Sequence, residues 1–153
     1  ADTSWKEVTS ALEHSEDLLA HLLNGDEEDV ATNVAEVHEQ NTSILKYNDE
    51  NSLACVLSLA FYTARNRYEM IRELPTGKGF ADIVLLPYRH VDAPAIVLEL
   101  KWNNDADTAI SQIKLQGYGK SLMHYVGDVI LVGINYDKQT KVHSCKIEKI
   151  VKK

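Results

Sequence analysis

The sequence predicts an α/β protein with a mixed central sheet of four or five strands, flanked by helices and preceded by an acidic helical segment. Three observations predict it. The apolar spacing is helical up to about residue 65 and alternates from residue 67 onward. A second helical stretch at 106–125 then stands between strand-like segments. Charge divides the chain as well: residues 1–50 carry 13 acids against Lys6 and Lys46, a balance of −11, and residues 51–153 carry 10 acids and 14 Lys/Arg, a balance of +4. A net charge of −7 thus conceals a mildly basic main portion, which permits a polyanionic partner without demanding one.

The elements follow in order. Val8, Leu12, Leu18, Leu19, Leu22 and Leu23 place an amphipathic helix over 5–23. Asn24-Gly25-Asp26 stops it and starts the next, with Val30, Val34 and Val37 on one face of a helix over 27–45. Asn48-Asp49 caps a third helix over 50–65, apolar nearly all round and therefore expected to be buried on more than one side. Residues 67–74 alternate as a half-buried strand, Pro75 to Gly79 turn, and 80–88 form a second strand. A turn at 89–94 with Asp92 and Pro94 leads into a third strand, 95–102. Asn103 to Asp107 offer N-caps for the helix 106–125, whose packing face carries Ala106, Ala109, Ile110, Ile113 and Gly117. Residues 128–136 are almost continuously apolar, as in a strand covered on both faces, and 141–150 alternate as an edge strand. These elements divide into an acidic helical lead-in, 1–48, and an α/β domain, 49–153.

Hydrophobic residues at 44% and charged residues at 25% suit one globular domain. No apolar run reaches the roughly 18 residues of a membrane helix, and no signal peptide is visible at the N-terminus. Cys55 and Cys145 lack CxxC spacing and read as buried, reduced thiols of a cytoplasmic protein. The histidines at 14, 21, 38, 90, 124 and 143 show no zinc spacing, no G-x-S-x-G occurs, and Gly77-Lys78-Gly79 is a turn rather than a phosphate loop.

The chemistry concentrates in two strands. Glu99 and Lys101 share one face of their strand, roughly 6.6 Å apart along it. A carboxylate and an ammonium in an apolar strand are costly to bury alone. Asp82, in FADIVLLP, poses the same problem. If strands 80–88 and 95–102 pair as a hairpin, Asp82 sits beside Glu99, and a divalent cation resolves the repulsion. Mg²⁺ suits such a site, with Mn²⁺ as a substitute. Against this, an E-x-K on an edge strand is commonly a solvated ion pair.

Asp82 followed by Glu99-Leu100-Lys101, in helix–strand–strand–strand–helix–strand order, resembles the PD-(D/E)XK nuclease superfamily. The segments YNDENSLACVLSLAFYTARNRYEMIRELPTGKGFADIVLLP, AIVLELKW, AISQIKLQGYGKSL and LVGINYDKQTKVHSCKIE look like a bacterial branch whose nuclease-like domain follows an AAA-ATPase-like domain; the likeness covers about residues 28–150. It implies a restriction-endonuclease-like fold. It assigns metal ligation to Asp82 and Glu99, with Ala81 standing where a Pro is usual, a departure without effect on ligation. Lys101 matches the motif lysine, and the Leu100 carbonyl is an additional ligand in related enzymes. Glu50 matches the acid of the first helix, although the helix dipole alone also accounts for a Glu there. Gln112 matches the Gln of an A-x-x-Q-I pattern and Tyr118 its later Tyr. Gln112, Gln116 and Lys120 recur as one polar stripe, which a solvated helix face also explains. Glu73 reads as a strand-end acid or a further site residue. Arg65, Arg67, Arg72, Lys78 and Arg89 are candidates for lining a nucleic-acid groove.

The implied function is Mg²⁺-dependent phosphodiester hydrolysis of nucleic acid, DNA rather than RNA, within a larger ATPase-coupled cytoplasmic protein. The alternative is a nuclease-fold module that does not cleave and instead binds nucleic acid or a protein.

Overall fold

The computed structural model describes residues 15–41, 62–73, 82–115 and 125–151. Helix α1 occupies residues 15–24 and helix α2 Glu27–Asn41. Between them Gly25 takes φ 76°, a left-handed conformation that glycine adopts freely. The Gly25 and Asp26 N–H groups donate back to the Leu22 and His21 carbonyls at 3.1 and 2.9 Å, closing α1 with a Schellman cap. A 3₁₀ helix, Tyr62–Asn66, then leads into the sheet. Its Thr63 donates through both N–H and hydroxyl to Ser15 Oγ at 3.0 and 2.8 Å, fastening it to the start of α1.

The strands are β1 (Tyr68–Glu73), β2 (Asp82–Pro87), β3 (Ala95–Trp102), β4 (Val129–Asp137) and β5 (Val142–Ile150). They form one sheet whose spatial order is the sequence order. β1–β2, β2–β3 and β4–β5 pair antiparallel, and β3–β4 pair parallel. A parallel pair needs a crossover connection, and helix α3, Ala106–Leu115, lies in it. The α/β class and the mixed five-stranded sheet are those the alternating apolar pattern predicts.

Alternation assigns each strand residue to one of two cores. On one face Ile83, Leu85, Ile96, Leu98, Leu100, Ile130, Val132 and Ile134 pack with Leu18 and Leu22 of α1 and Val30, Val34 and Val37 of α2. On the other, Val84, Ala95, Val97, Val129 and Leu131 pack with Ile110 and Ile113 of α3. β4 is buried along eight successive residues, as its unbroken apolar run requires. β5 is one edge, and Glu27 Oε2 accepts the Ile147 N–H at 2.7 Å, covering part of that edge with the start of α2. Cys145 is buried, and loss of solvent pushes its thiol up to about 12, with Glu27 adding to the rise.

Two expectations need correction. Tyr62–Asn66, assigned to the end of an α-helix, is a 3₁₀ turn, a common tightening where a helix gives way to another element. The helix expected to reach residue 125 has ended before it: Tyr125 is non-helical, packs against the second core and donates its hydroxyl to the Ala93 carbonyl at 3.4 Å. The helix over 5–14, the Asn48-Asp49 cap, the helix over 50–61, Cys55, the turn Pro75 to Gly79 and residues 116–124 lie outside the described residues. Among the described residues no helix is long and apolar enough to cross a membrane.

Candidate metal and catalytic centre

Odd-numbered positions of β3 face α3. Ala95 and Val97 fill the core there, and the same face continues with Glu99 and Lys101. Both charged residues are buried, Glu99 at 0% and Lys101 at 2% exposure. Neither is the solvated pair of an edge strand, because β3 is flanked by β2 and β4.

The register places Asp82 directly opposite Glu99, the hairpin pairing expected from the sequence. By alternation the Asp82 position belongs to the face of Val84, which packs in the second core. Directly opposite positions lie about 4.5–5.5 Å apart at Cα, so β2 and β3 bring two acidic positions together.

Both carboxylate oxygens of Glu99 are buried without a hydrogen-bond partner among the described residues. An ionised carboxylate removed from water and left unpaired costs on the order of several kcal/mol. A hard divalent cation meets that need, and two adjacent acids are the donors it takes. The orphaned Glu99 oxygens and the acidic position across from them therefore fit such an ion.

Lys101 is held differently. Its Nζ donates to Gln112 Oε1, so α3 fixes where the ammonium lies. Gln112 reaches the sheet because Ala109, Ile110 and Ile113 around it seat its helix on β3 and β4. The N-terminus of α3 is set just as closely. Asp105 caps it, accepting the Thr108 N–H at 2.6 Å. That hydrogen bond, and then the one from the Thr108 side chain, holds the Asp105 carboxyl below the ordinary aspartate range, with the Lys101 charge contributing least. Gly133, across from Glu99 on β4, lets the helix approach: a Cβ there would meet the Ala106 carbonyl oxygen at 2.4 Å and Ala109 Cβ at 2.9 Å.

Two supporting residues are invisible to motif reasoning. Asn135, 4% exposed and opposite Lys101 on β4, accepts the Asn104 N–H on Oδ1 at 3.0 Å. Asn103, at φ 54°, donates its N–H to the Tyr136 carbonyl at 2.8 Å and accepts the Lys138 N–H on Oδ1 at 2.8 Å. Together they tie the β3–α3 connection to β4. The signal for Asn135 was present, a lone amide inside VILVGINYD; its structural use depends on the parallel pairing with Lys101.

The structure thus brings together Asp82, Glu99, Lys101 and Gln112. Glu50, Gln116, Tyr118, Lys120 and Lys78 lie outside the described residues. Arg65, Arg67 and Arg89 are exposed, but not beside this centre. They flank the Tyr68↔Pro87 end of the β1–β2 pair, and Asp82 begins β2 at the other, roughly 20 Å away along the strand. Arg72, the remaining described candidate, stands on β1 opposite Ile83, next to the Glu73↔Asp82 pair. His21, Asp26 and Asp29 offer ligand atoms within 4.8 Å of one another at the α1–α2 corner, where Asp26 and Asp29 are exposed and favoured by the start of α2.

A mixed sheet carrying paired acidic positions on its second and third strands, with a lysine two residues on, offers the donor set that metal-assisted chemistry on phosphate esters uses. The chain belongs to the PD-(D/E)XK nuclease superfamily, whose family model matches residues 48–146. No curated protein matches the chain.

Proposed function

We propose that the chain is a Mg²⁺-dependent nuclease domain that hydrolyses phosphodiester bonds, in DNA rather than RNA. The observation that carries this reading is the Glu99 carboxylate, buried with neither oxygen partnered among the described residues, opposite Asp82 and two residues before a buried lysine. Asp82 and Glu99 would hold the cation, with Glu50 of the preceding helix as a further ligand. When bound, the ion neutralises phosphate charge and acidifies a water.

Lys101 is the group on this chain that acts on the reacting atoms. Its ammonium, presented by β3 and held by Gln112, donates to a phosphoryl oxygen or orients the attacking water. Gln112 fixes the Nζ position and so acts through Lys101. Burial of Lys101, 2% exposed, keeps bulk water from competing for its donors.

Superfamily membership supports nucleic acid as the partner class. The likeness of the residue 28–150 segments to a bacterial branch supports an AAA-ATPase-like domain upstream, a nuclease-like unit over 49–153, and a cytoplasmic setting. Cleavage assays on DNA and RNA with Mg²⁺ or Mn²⁺ test the reading. Asp82→Ala and Lys101→Ala are each expected to abolish metal-dependent cleavage; unchanged cleavage in either refutes the assignment.

A further inference from the structure

We propose that Glu73 is a third carboxylate ligand of the cation centre, supplied by β1 beside Asp82. The proposal rests on the metal reading above and extends its ligand set. Glu73 stands directly opposite Asp82, and Asp82 directly opposite Glu99, so three acidic positions form one row across three adjacent strands. Alternation along each strand agrees with the register. Glu73 has the parity of Ile71, Asp82 that of Val84 and Glu99 that of Val97, and these three apolar residues all pack in the second core.

Like charges placed directly opposite destabilise a sheet, so three in a row are costly unless something binds them. Glu99 supplies the independent sign of a ligand: 0% exposed, with two oxygens unpartnered among the described residues. On its other side the row continues with Gly133, which has no side chain to offer and over which α3 packs closely. Within the row, further donors to an ion at Glu99 come only from the Asp82–Glu73 side. A solvated strand-end acid would have no reason to occupy the one position that continues it.

Mn²⁺ titration calorimetry and thermal unfolding of the full chain test the proposal. Glu73→Gln is expected to weaken Mn²⁺ binding more than about tenfold, a direct ligand counting for no less than an outer-shell partner. The same variant should melt higher than wild type in EDTA, because one repelling charge is gone, and gain less from added Mn²⁺. Glu73→Asp keeps the charge and shortens the reach; it should lose affinity with little change in the EDTA melting temperature. Glu69→Gln, exposed and two alternations earlier on the same strand, should alter neither quantity. Wild-type affinity in both Glu73 variants overturns this inference and leaves the Asp82–Glu99 centre standing. No Mn²⁺ binding by the wild type overturns both.

Discussion

Burial without a partner sets Glu99 apart from Lys101, its neighbour on the same face. Lys101 has the amide oxygen of Gln112 as an acceptor, and among the described residues Glu99 has no hydrogen-bond donor for either oxygen. This asymmetry suits a cation at the acid and a positioned proton donor at the lysine. Because Gln112 acts by holding Nζ, Gln112→Ala should leave Mn²⁺ affinity unchanged and lower kcat by about 10–100-fold, the size of outer-shell effects elsewhere. A fall in Mn²⁺ affinity with kcat intact would assign Gln112 to the metal instead. The acids and the lysine were legible in the sequence because charged residues are conspicuous in apolar strands. Asn135 was not, because what matters is the strand lying beside it. Where the arginines fall was not legible either: position along a strand pair, which composition does not carry, puts Arg67 at the far end from Asp82 and Arg72 near it, opposite Ile83.

At the scale of elements, α3 is the part on which the centre depends. Its start is fixed by the Asp105 cap, by the Asn135 contact to Asn104 and by the close approach at Gly133. The depressed Asp105 carboxyl ties this arrangement to pH. A folded-state pKa below the unfolded value, about 3.9, adds stability that is present above that value. The contribution is lost as pH falls through the lower folded pKa. Asp105→Asn keeps a good N-cap without the titrating charge. It is therefore expected to melt slightly lower than wild type at neutral pH and to show a shallower loss of stability below about pH 4. An equal acid-side slope in both proteins would dismiss the Asp105 cap as its source. The N-cap was predictable from Asn103 to Asp107. The end of the preceding helix as a 3₁₀ turn and the non-helical Tyr125 were not, because tertiary contacts, the Ser15–Thr63 pair and the Tyr125–Ala93 bond, accompany them.

For the whole molecule, the acidic lead-in and the sheet share one core. Leu18, Leu22, Val30, Val34 and Val37 are all at 0% exposure, on the face opposite Glu99. Each buried Leu or Val contributes about 1.5–3 kcal/mol. Five of them together compare with the entire stability of a typical domain, about 5–15 kcal/mol. A fragment starting at residue 49 is accordingly expected to lose its cooperative thermal transition and to bind a hydrophobic dye; an intact transition would contradict this packing account. The described acids of α1 and α2 lie on helices that cover the face away from the centre, which leaves the α3 side of the sheet to meet a polyanion. Fold class and the succession of strands along the chain followed from alternation, and the Asp82–Glu99 pairing followed once strands 80–88 and 95–102 were taken as a hairpin. The parallel β3–β4 pairing and the row reaching Glu73 needed the register itself.

The central claim is that the Asp82 and Glu99 carboxylates hold a divalent cation. Anomalous scattering from crystals soaked in Mn²⁺ measures that directly. The account predicts a strong anomalous peak in contact with the Asp82 and Glu99 carboxylates, and its loss in crystals of Asp82→Asn. A peak elsewhere, such as at His21, Asp26 and Asp29, with none at Glu99, would contradict it.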